Sequence, residues 1–272
     1  MKRVTSICII GSEKICRELL YEPNKDKIPK EFSKYKYNGG QLNLPLEPDS
    51  PELKQAIQIA QENNLHPRLF SKVQYTKKEI GEIPFFQMYI PDPLELEGTD
   101  ASDYGTQYVG GCSTCSLGGR PVGDVLVDRK FVKKYKIGNV RPDIYVSEEL
   151  KKIIEDNNLT GVGFIGEMKD YKGREMPKYH IMRIGSILPP MSDSTWLNYT
   201  GGASYKECGH NVVYLQSDVQ YEKEKIENAK DFNLSTEYIN NFRLQETIVS
   251  ARVRKIFKEH KIYSFFFPVA IL

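Results

Sequence analysis

The sequence predicts an α+β fold. An N-terminal α+β region spans residues 1–103. Residues 104–272 form a domain of two pseudo-repeated strand–helix–strand units (about 104–190 and 200–272), linked by a CxxC and a degenerate CxxCG knuckle. Three observations carry this reading. Apolar residues alternate in some segments and recur every three to four residues in others, the two periodicities of strand and helix. A stretch beginning at Val146 matches a second one beginning at Val249 without a gap. Paired cysteines on a glycine-rich turn precede the first copy, and a Cys-Gly pair precedes the second.

The N-terminal region opens with Met1–Ile10, whose apolar core is interrupted by Thr5 and Ser6 and stops at Gly11. No small-residue cleavage site follows, so Val4–Ile10 reads as a first strand and not as a leader. Ser12 can cap a short helix through Leu20, and Lys25–Gly40 reads as a loop with a Gly39-Gly40 break. Pro51 suits the first position of a helix, where Leu53, Ala56, Ile57 and Ala60 share one face and His66-Pro67 marks the end. Leu69–Tyr75 and Pro84–Ile90 are strand candidates. Pro91–Tyr104 then carries Asp92, Glu95, Glu97, Asp100 and Asp103 with no basic residue among them. It reads either as a solvated connector or as a contact surface for a basic partner.

The self-similar segments are Val146–Phe164 and Val249–Phe267. Val146, Ser147, Lys152, Ile153 and Phe164 meet identical residues, and Leu150, Ile154, Leu159 and Val162 meet Val253, Phe257, Ile262 and Phe265. Each copy reads as a short strand (Asp143–Val146; Thr247–Val249), a serine N-cap and a helix of about three turns with one apolar stripe. A second strand follows over Leu159–Phe164 or Ile262–Phe267. Such a unit has enough apolar surface to pack on a sheet and too little to stand alone.

Cys112 and Cys115 lie in Gly110-Gly-Cys-Ser-Thr-Cys-Ser-Leu-Gly-Gly119. Two cysteines at this spacing can aim both sulfurs at one point, half of a tetrahedral zinc site. The other half would come from Tyr205-Lys-Glu-Cys208-Gly209-His210, a CxxCG whose first cysteine is Tyr205. Cys112, Cys115 and Cys208 are thus candidate ligands of a structural zinc, with His210 as the fourth and His180 as a second choice. A metal-free turn and a redox dithiol are the competing readings. Cys8 and Cys16 read as small buried hydrophobes.

The order CxxC, strand–helix–strand, degenerate CxxCG, strand–helix–strand resembles the double-CxxCG family of bacterial immunity proteins. The resemblance covers about residues 104–272. It rests on Cys112, Cys115, Cys208 and Gly209, on Val146-Ser147-Glu148 and Val249-Ser250-Ala251-Arg252, on Leu159-Thr160-Gly161-Val162 and on Phe242-Arg243-Leu244. It implies a non-catalytic protein that binds and neutralises a cognate polymorphic toxin, encoded by a neighbouring gene and used in bacterial competition.

Composition bounds the alternatives. The chain has 272 residues, long enough to fold without a disulfide scaffold. Against 36 Asp+Glu, the 38 Lys+Arg leave a net charge of +2, which gives no global drive towards nucleic acid or membrane. No apolar run reaches a membrane span. Five cysteines, an odd number, fit a reducing compartment, and the reading is a cytoplasmic protein. There is no GxSxG elbow, Walker A loop or HExxH, and His66, His180, His210 and His260 are scattered, so no enzyme is expected. His260 reads as a solvated residue at a helix C-terminus, and Trp196 as a plug under a loop or an exposed anchor. The rival class is a zinc-ribbon-like nucleic-acid-associated protein, for which the Lys- and Tyr-rich stretches Lys130–Lys136 and Lys25–Tyr37 would supply the contacts.

Overall fold

The computed structural model describes residues 2–10, 41–46, 50–63, 68–90, 106–113, 119–132, 135–140, 143–198, 212–239 and 244–272. The expected helix from Ser12, the loop Lys25–Gly40 and the His66-Pro67 stop lie outside them. The architecture is mixed α+β, with many strands and few helices. The chain divides into two compact units. One is Met1–Glu82 with Ser194–Asn198 and Leu215–Asp218; the other is Ile83–Asp193 with Tyr199–Tyr214 and Val219–Leu272. No helix among the described residues is long and apolar enough to cross a membrane.

In chain order the elements begin with β1 (Lys2–Ile10), β2 (Gln41–Leu46), α1 (Pro51–Glu62), β3 (Arg68–Gln74) and α2 (Lys77–Glu82). Next come β4 (Phe85–Tyr89), β5 (Gln107–Val109), β6 (Arg120–Val122), β7 (Val125–Val127), α3 (Arg129–Val132) and β8 (Ile137–Val140). The middle of the chain holds β9 (Asp143–Ser147), α4 (Glu148–Asp156), β10 (Val162–Asp170), β11 (Glu175–Ile184) and β12 (Leu197–Asn198). The last are β13 (Val212–Leu215), β14 (Gln220–Tyr221), β15 (Phe232–Ile239), β16 (Leu244–Ser250), α5 (Ala251–Glu259), β17 (Phe265–Pro268) and β18 (Ala270–Ile271).

In the first unit β1 pairs antiparallel with both β2 and β3, in the order β2-β1-β3. Helix α1 starts where expected: the Ser50 hydroxyl accepts from the Leu53 N–H at 3.2 Å, and Pro51 occupies the first turn. Its inner face is Leu53, Ala56 and Ala60, all buried, and Cys8 is buried too. At the far end the Asn63 side chain donates to the Ile59 carbonyl at 2.8 Å and ends the helix.

The second unit holds two larger sheets. One has the order β7-β10-β11-β9-β8; in the other β13-β15-β16-β4-β17 lie side by side. Behind the first sheet, Val125, Val127, Val132, Tyr145, Met168, Met176 and Ile181 form one buried cluster. Gly138 lets it close, since a Cβ there would lie 2.6 Å from the Tyr145 ring. Behind the second sheet, Phe257 of α5 meets Phe232 and Phe266 at ring distances of 6.1 and 6.2 Å.

The two strand–helix–strand segments have the same local chemistry at an offset of 103 residues. The Ser147 hydroxyl accepts from Leu150 N–H at 3.2 Å, and the Ser250 hydroxyl from Val253 N–H at 3.3 Å. Leu150, Ile153 and Ile154 are buried on α4, and Val253, Ile256 and Phe257 on α5. Both helices end on a residue in the left-handed region, Asn158 at φ 49° and Lys261 at φ 53°. The next residue then folds back: Leu159 N–H donates to Ile154 O at 3.0 Å and Ile262 N–H to Phe257 O at 2.8 Å. This is a Schellman cap, with a buried apolar residue closing it each time. Because Leu159 and Ile262 serve the caps, the following strands begin at Val162 and Phe265, three residues later than the alternation predicts.

The strand topologies also correspond. Strand β11 lies antiparallel between β9 and β10, and β4 lies antiparallel between β16 and β17. In the first sheet the intervening strand follows directly by a hairpin. In the second it is Phe85–Tyr89, far upstream in the chain.

The sheets meet where Phe232 N–H donates to Thr160 O at 3.0 Å and Leu234 exchanges bonds with Ser186 and Leu188, both at 2.8 Å. The Asp231 carboxylate accepts from Thr160 N–H at 3.0 Å and from its hydroxyl at 3.1 Å. Gly161, at φ 89°, permits this approach: a Cβ there would sit 2.1 Å from the Phe232 carbonyl oxygen.

Candidate functional site

Of the residues singled out by sequence, Cys115, Cys208 and His210 lie outside the described residues, as do Asp92, Glu95, Glu97, Asp100 and Asp103 of the acidic loop and Cys16. Cys112 is half-buried just after β5, beyond Gly110 at φ 73°. Among the described residues no group of three or more His, Cys, Asp or Glu gathers to hold a metal ion. His180, on β11, is bonded through Nε2 to the Glu148 carboxylate at the start of α4, and this bond holds the Glu148 carboxyl below the usual range. His260 is the exposed C-cap residue of α5. Trp196 is 36% exposed and its backbone N–H donates to the Ser217 hydroxyl at 2.9 Å. Part of the basic stretch is neutralised locally: Lys136 Nζ lies 2.6 Å from Glu149, and Lys130 Nζ 3.7 Å from Asp128.

Among the described residues the strongest surface feature is one the sequence did not anticipate. Strand β17 is the edge of its sheet. Its alternation points Phe266 towards α5, where it meets Phe257, and turns Phe265 and Phe267 to the other face. Phe265 and Phe267 are 47% and 46% exposed, and Tyr89 and Tyr263 beside them 49% and 53%. Sequence alignment of the two copies treats Phe265 as a core-type position. The structure moves that role to Phe266, because an edge strand with a helix on one side only leaves its other face open.

These rings form a connected row. Tyr89 and Phe265, directly paired across the ladder, have ring centroids 6.2 Å apart. Phe265 meets Tyr263 edge-on at 5.3 Å, and Tyr263 stacks on Tyr135 at 5.7 Å. Each contact holds its neighbours in place, so the row is preorganised. Four side chains about half exposed present roughly 400 Å² of largely apolar surface, the size at which a patch on a soluble protein is commonly functional.

The edge itself is blunted. Val269 N–H donates inward to Phe85 O at 3.1 Å. By the two-residue period Phe265 and Phe267 also face β4 with their backbone groups, and Pro268 faces out. A proline there has no N–H to offer an added strand. The exposed ring face, and not main-chain pairing, is therefore what this edge presents to another molecule. The chemistry such a row of rings offers is contact.

Compared with known proteins, the chain matches no family model and no curated protein.

Proposed function

We propose that the protein is a non-catalytic immunity protein that binds and neutralises a cognate bacterial toxin encoded by a neighbouring gene, acting in the cytoplasm. The observation that carries this is the row Tyr135–Tyr263–Phe265–Tyr89, with Phe267 beside it. Exposed, mutually packed aromatic rings are the residue class that dominates protein–protein contact energy. The resemblance of residues 104–272 to the double-CxxCG immunity proteins supplies the identity of the partner. In this reading residues 104–272 are a duplicated strand–helix–strand module, supported by the matching serine caps and Schellman caps of α4 and α5. A structural zinc on Cys112, Cys115, Cys208 and His210 would tie the two pseudo-repeat copies; metal analysis of the purified chain decides that point.

The test is co-expression with the neighbouring gene product. Wild-type chain protects cells and co-purifies with that product. The Tyr263→Ala/Phe265→Ala variant keeps its fold and loses both. A chain that neither protects nor co-purifies overturns the reading. A steeply salt-dependent affinity for single-stranded nucleic acid in its place would support the zinc-ribbon-like alternative.

A further inference from the structure

The open face of the second sheet carries a charge beside its rings. In the ladder Ile248 of β16, Gln87 of β4 and Phe267 of β17 lie in one line, since Ile248 pairs with Gln87 and Gln87 with Phe267. Side chains of one face recur at every second residue. Two residues along each strand, the same registers bring Glu246, Tyr89 and Phe265 into a second line on that face. One hydrogen bond ties the two lines together: Gln87 Nε2 donates to Glu246 Oε2 at 2.7 Å. Residues directly opposite in an antiparallel pair have Cβ atoms about 5 Å apart. Glu246 therefore stands at the Tyr89 end of the aromatic row.

The first line is closed at β16, where Ile248 is 1% exposed. The second is open: Tyr89 and Phe265 are about half exposed, and Glu246 keeps partial exposure. The carboxyl thus sits at the seam between the bare rings and the covered part of the sheet. Among the described residues Glu246 forms no ion pair, and its partner is the neutral Gln87 amide. A carboxylate so placed has lost water without gaining a counter-charge. Burial accordingly raises its carboxyl above the usual range, and the Gln87 bond only partly opposes this. The ring faces next to it carry the negative side of the aromatic quadrupole. Carboxylate and rings favour the same occupant, a cation. A lysine ammonium is a point charge that keeps its water tightly. A guanidinium is flat, sheds water more easily, stacks on a ring and offers a fork of N–H donors to a carboxylate.

We propose that the Tyr89 end of the row is an arginine-binding site: the partner protein lays a guanidinium over the Tyr89 and Phe265 rings and donates from it to the Glu246 carboxylate. Gln87 is the positioning residue, since its amide holds the carboxylate on the ring face of the sheet. The inference rests on the reading of the row as a contact surface, and adds the chemistry of what it contacts. Arginine is itself enriched where contact energy concentrates, so an arginine set among rings is a self-consistent anchor.

The experiment uses the full chain and two blocked tripeptides, acetyl-Gly-Arg-Gly-amide and its citrulline counterpart, which keeps the shape and lacks the charge. Binding is followed by NMR on the aromatic side-chain signals at fixed ionic strength. The arginine peptide shifts the Tyr89 and Phe265 signals and binds at least tenfold more tightly than the citrulline peptide. Glu246→Gln, which can still accept from Gln87, weakens the arginine peptide at least fivefold and leaves the citrulline peptide unchanged. Equal binding of the two peptides, ring signals that do not move, or an unchanged affinity in Glu246→Gln overturns the proposal. A lysine tripeptide that binds as tightly as the arginine one also overturns it. If Glu246→Gln fails to fold, the peptide comparison on the wild-type chain still decides. The two readings fail separately. A toxin complex whose affinity ignores Glu246→Gln removes the arginine contact and leaves the immunity role, whereas arginine binding in a chain that protects no cell does the reverse.

Discussion

Replacing Gly161 by alanine attacks the junction of the two sheets at a single atom. The new Cβ would lie 2.1 Å from Phe232 O, 2.8 Å from Lys230 Cβ and 3.1 Å from Phe232 C. To restore ordinary contact the Phe232 backbone must retreat by about 1.3 Å. It is held there by Phe232 N–H to Thr160 O at 3.0 Å and by the Thr160–Asp231 bonds at 3.0 to 3.1 Å, so at least one of these breaks. A lost hydrogen bond costs about 1 kcal/mol, and an alanine at φ 89° costs a further 1–2 kcal/mol or so. The total is about 3 kcal/mol. With an unfolding entropy near 2.1 cal/mol/K per residue, that lowers Tm by about 5 °C. The assay is calorimetric melting, with Gly163→Ala as control, because nothing lies within 4 Å of a Cβ at Gly163. A Gly161→Ala variant that melts within 1 °C or so of its control refutes the close approach.

Three further predictions stand on other elements. Ser147→Ala should lose about 1 kcal/mol in urea unfolding, and Ser250→Ala about 2 kcal/mol, because the Ser250 hydroxyl also donates to Asp231 at 2.7 Å; equal losses would contradict this. The buried Asp170 carboxylate accepts from Lys172 N–H at 3.0 Å, Arg174 N–H at 2.9 Å and Arg174 Nε at 2.5 Å. Desolvation opposes these bonds but they prevail and hold its carboxyl below the usual range. Its stabilisation is therefore present above the ordinary carboxylate value and lost as pH falls through the folded one, so wild-type melting should drop in acid while Asp170→Asn melts lower at neutral pH and changes less. Phe265→Ala removes about 100 Å² of contact surface, worth about 2.5 kcal/mol, so affinity for the proposed partner, measured by calorimetry, should fall roughly 60-fold, while Tm drops only by the few degrees that the lost ring contacts to Tyr89 and Tyr263 account for.

The helices were legible because their signals are local. Ser50-Pro51, Ser147 and Ser250 mark starts, and the apolar stripes mark the inner faces. The helix ends were less so: Asn158 and Lys261 adopt positive φ without glycine, and the caps they build delay the next strands. The pairing of β4 with β16 and β17 is a contact between distant segments, which periodicity does not encode. The aromatic row was missed for a related reason. Three phenylalanines in succession read as a buried strand until the strand is known to be an edge, although Pro268 beside them is the residue that edges tolerate.

The upstream origin of β4 has a consequence for biosynthesis. The sheet bounded by β7 and β8 uses only residues 125–184 and can complete itself while the ribosome is still working. Its neighbour cannot, since β4 waits bare on both sides until β16 and then β17 emerge more than 150 residues later. For that interval Phe86 and Met88, buried in the finished protein, are open to any passing chain. Ribosome-stalled nascent chains ending near residue 200 should accordingly need a chaperone that the finished polypeptide does not.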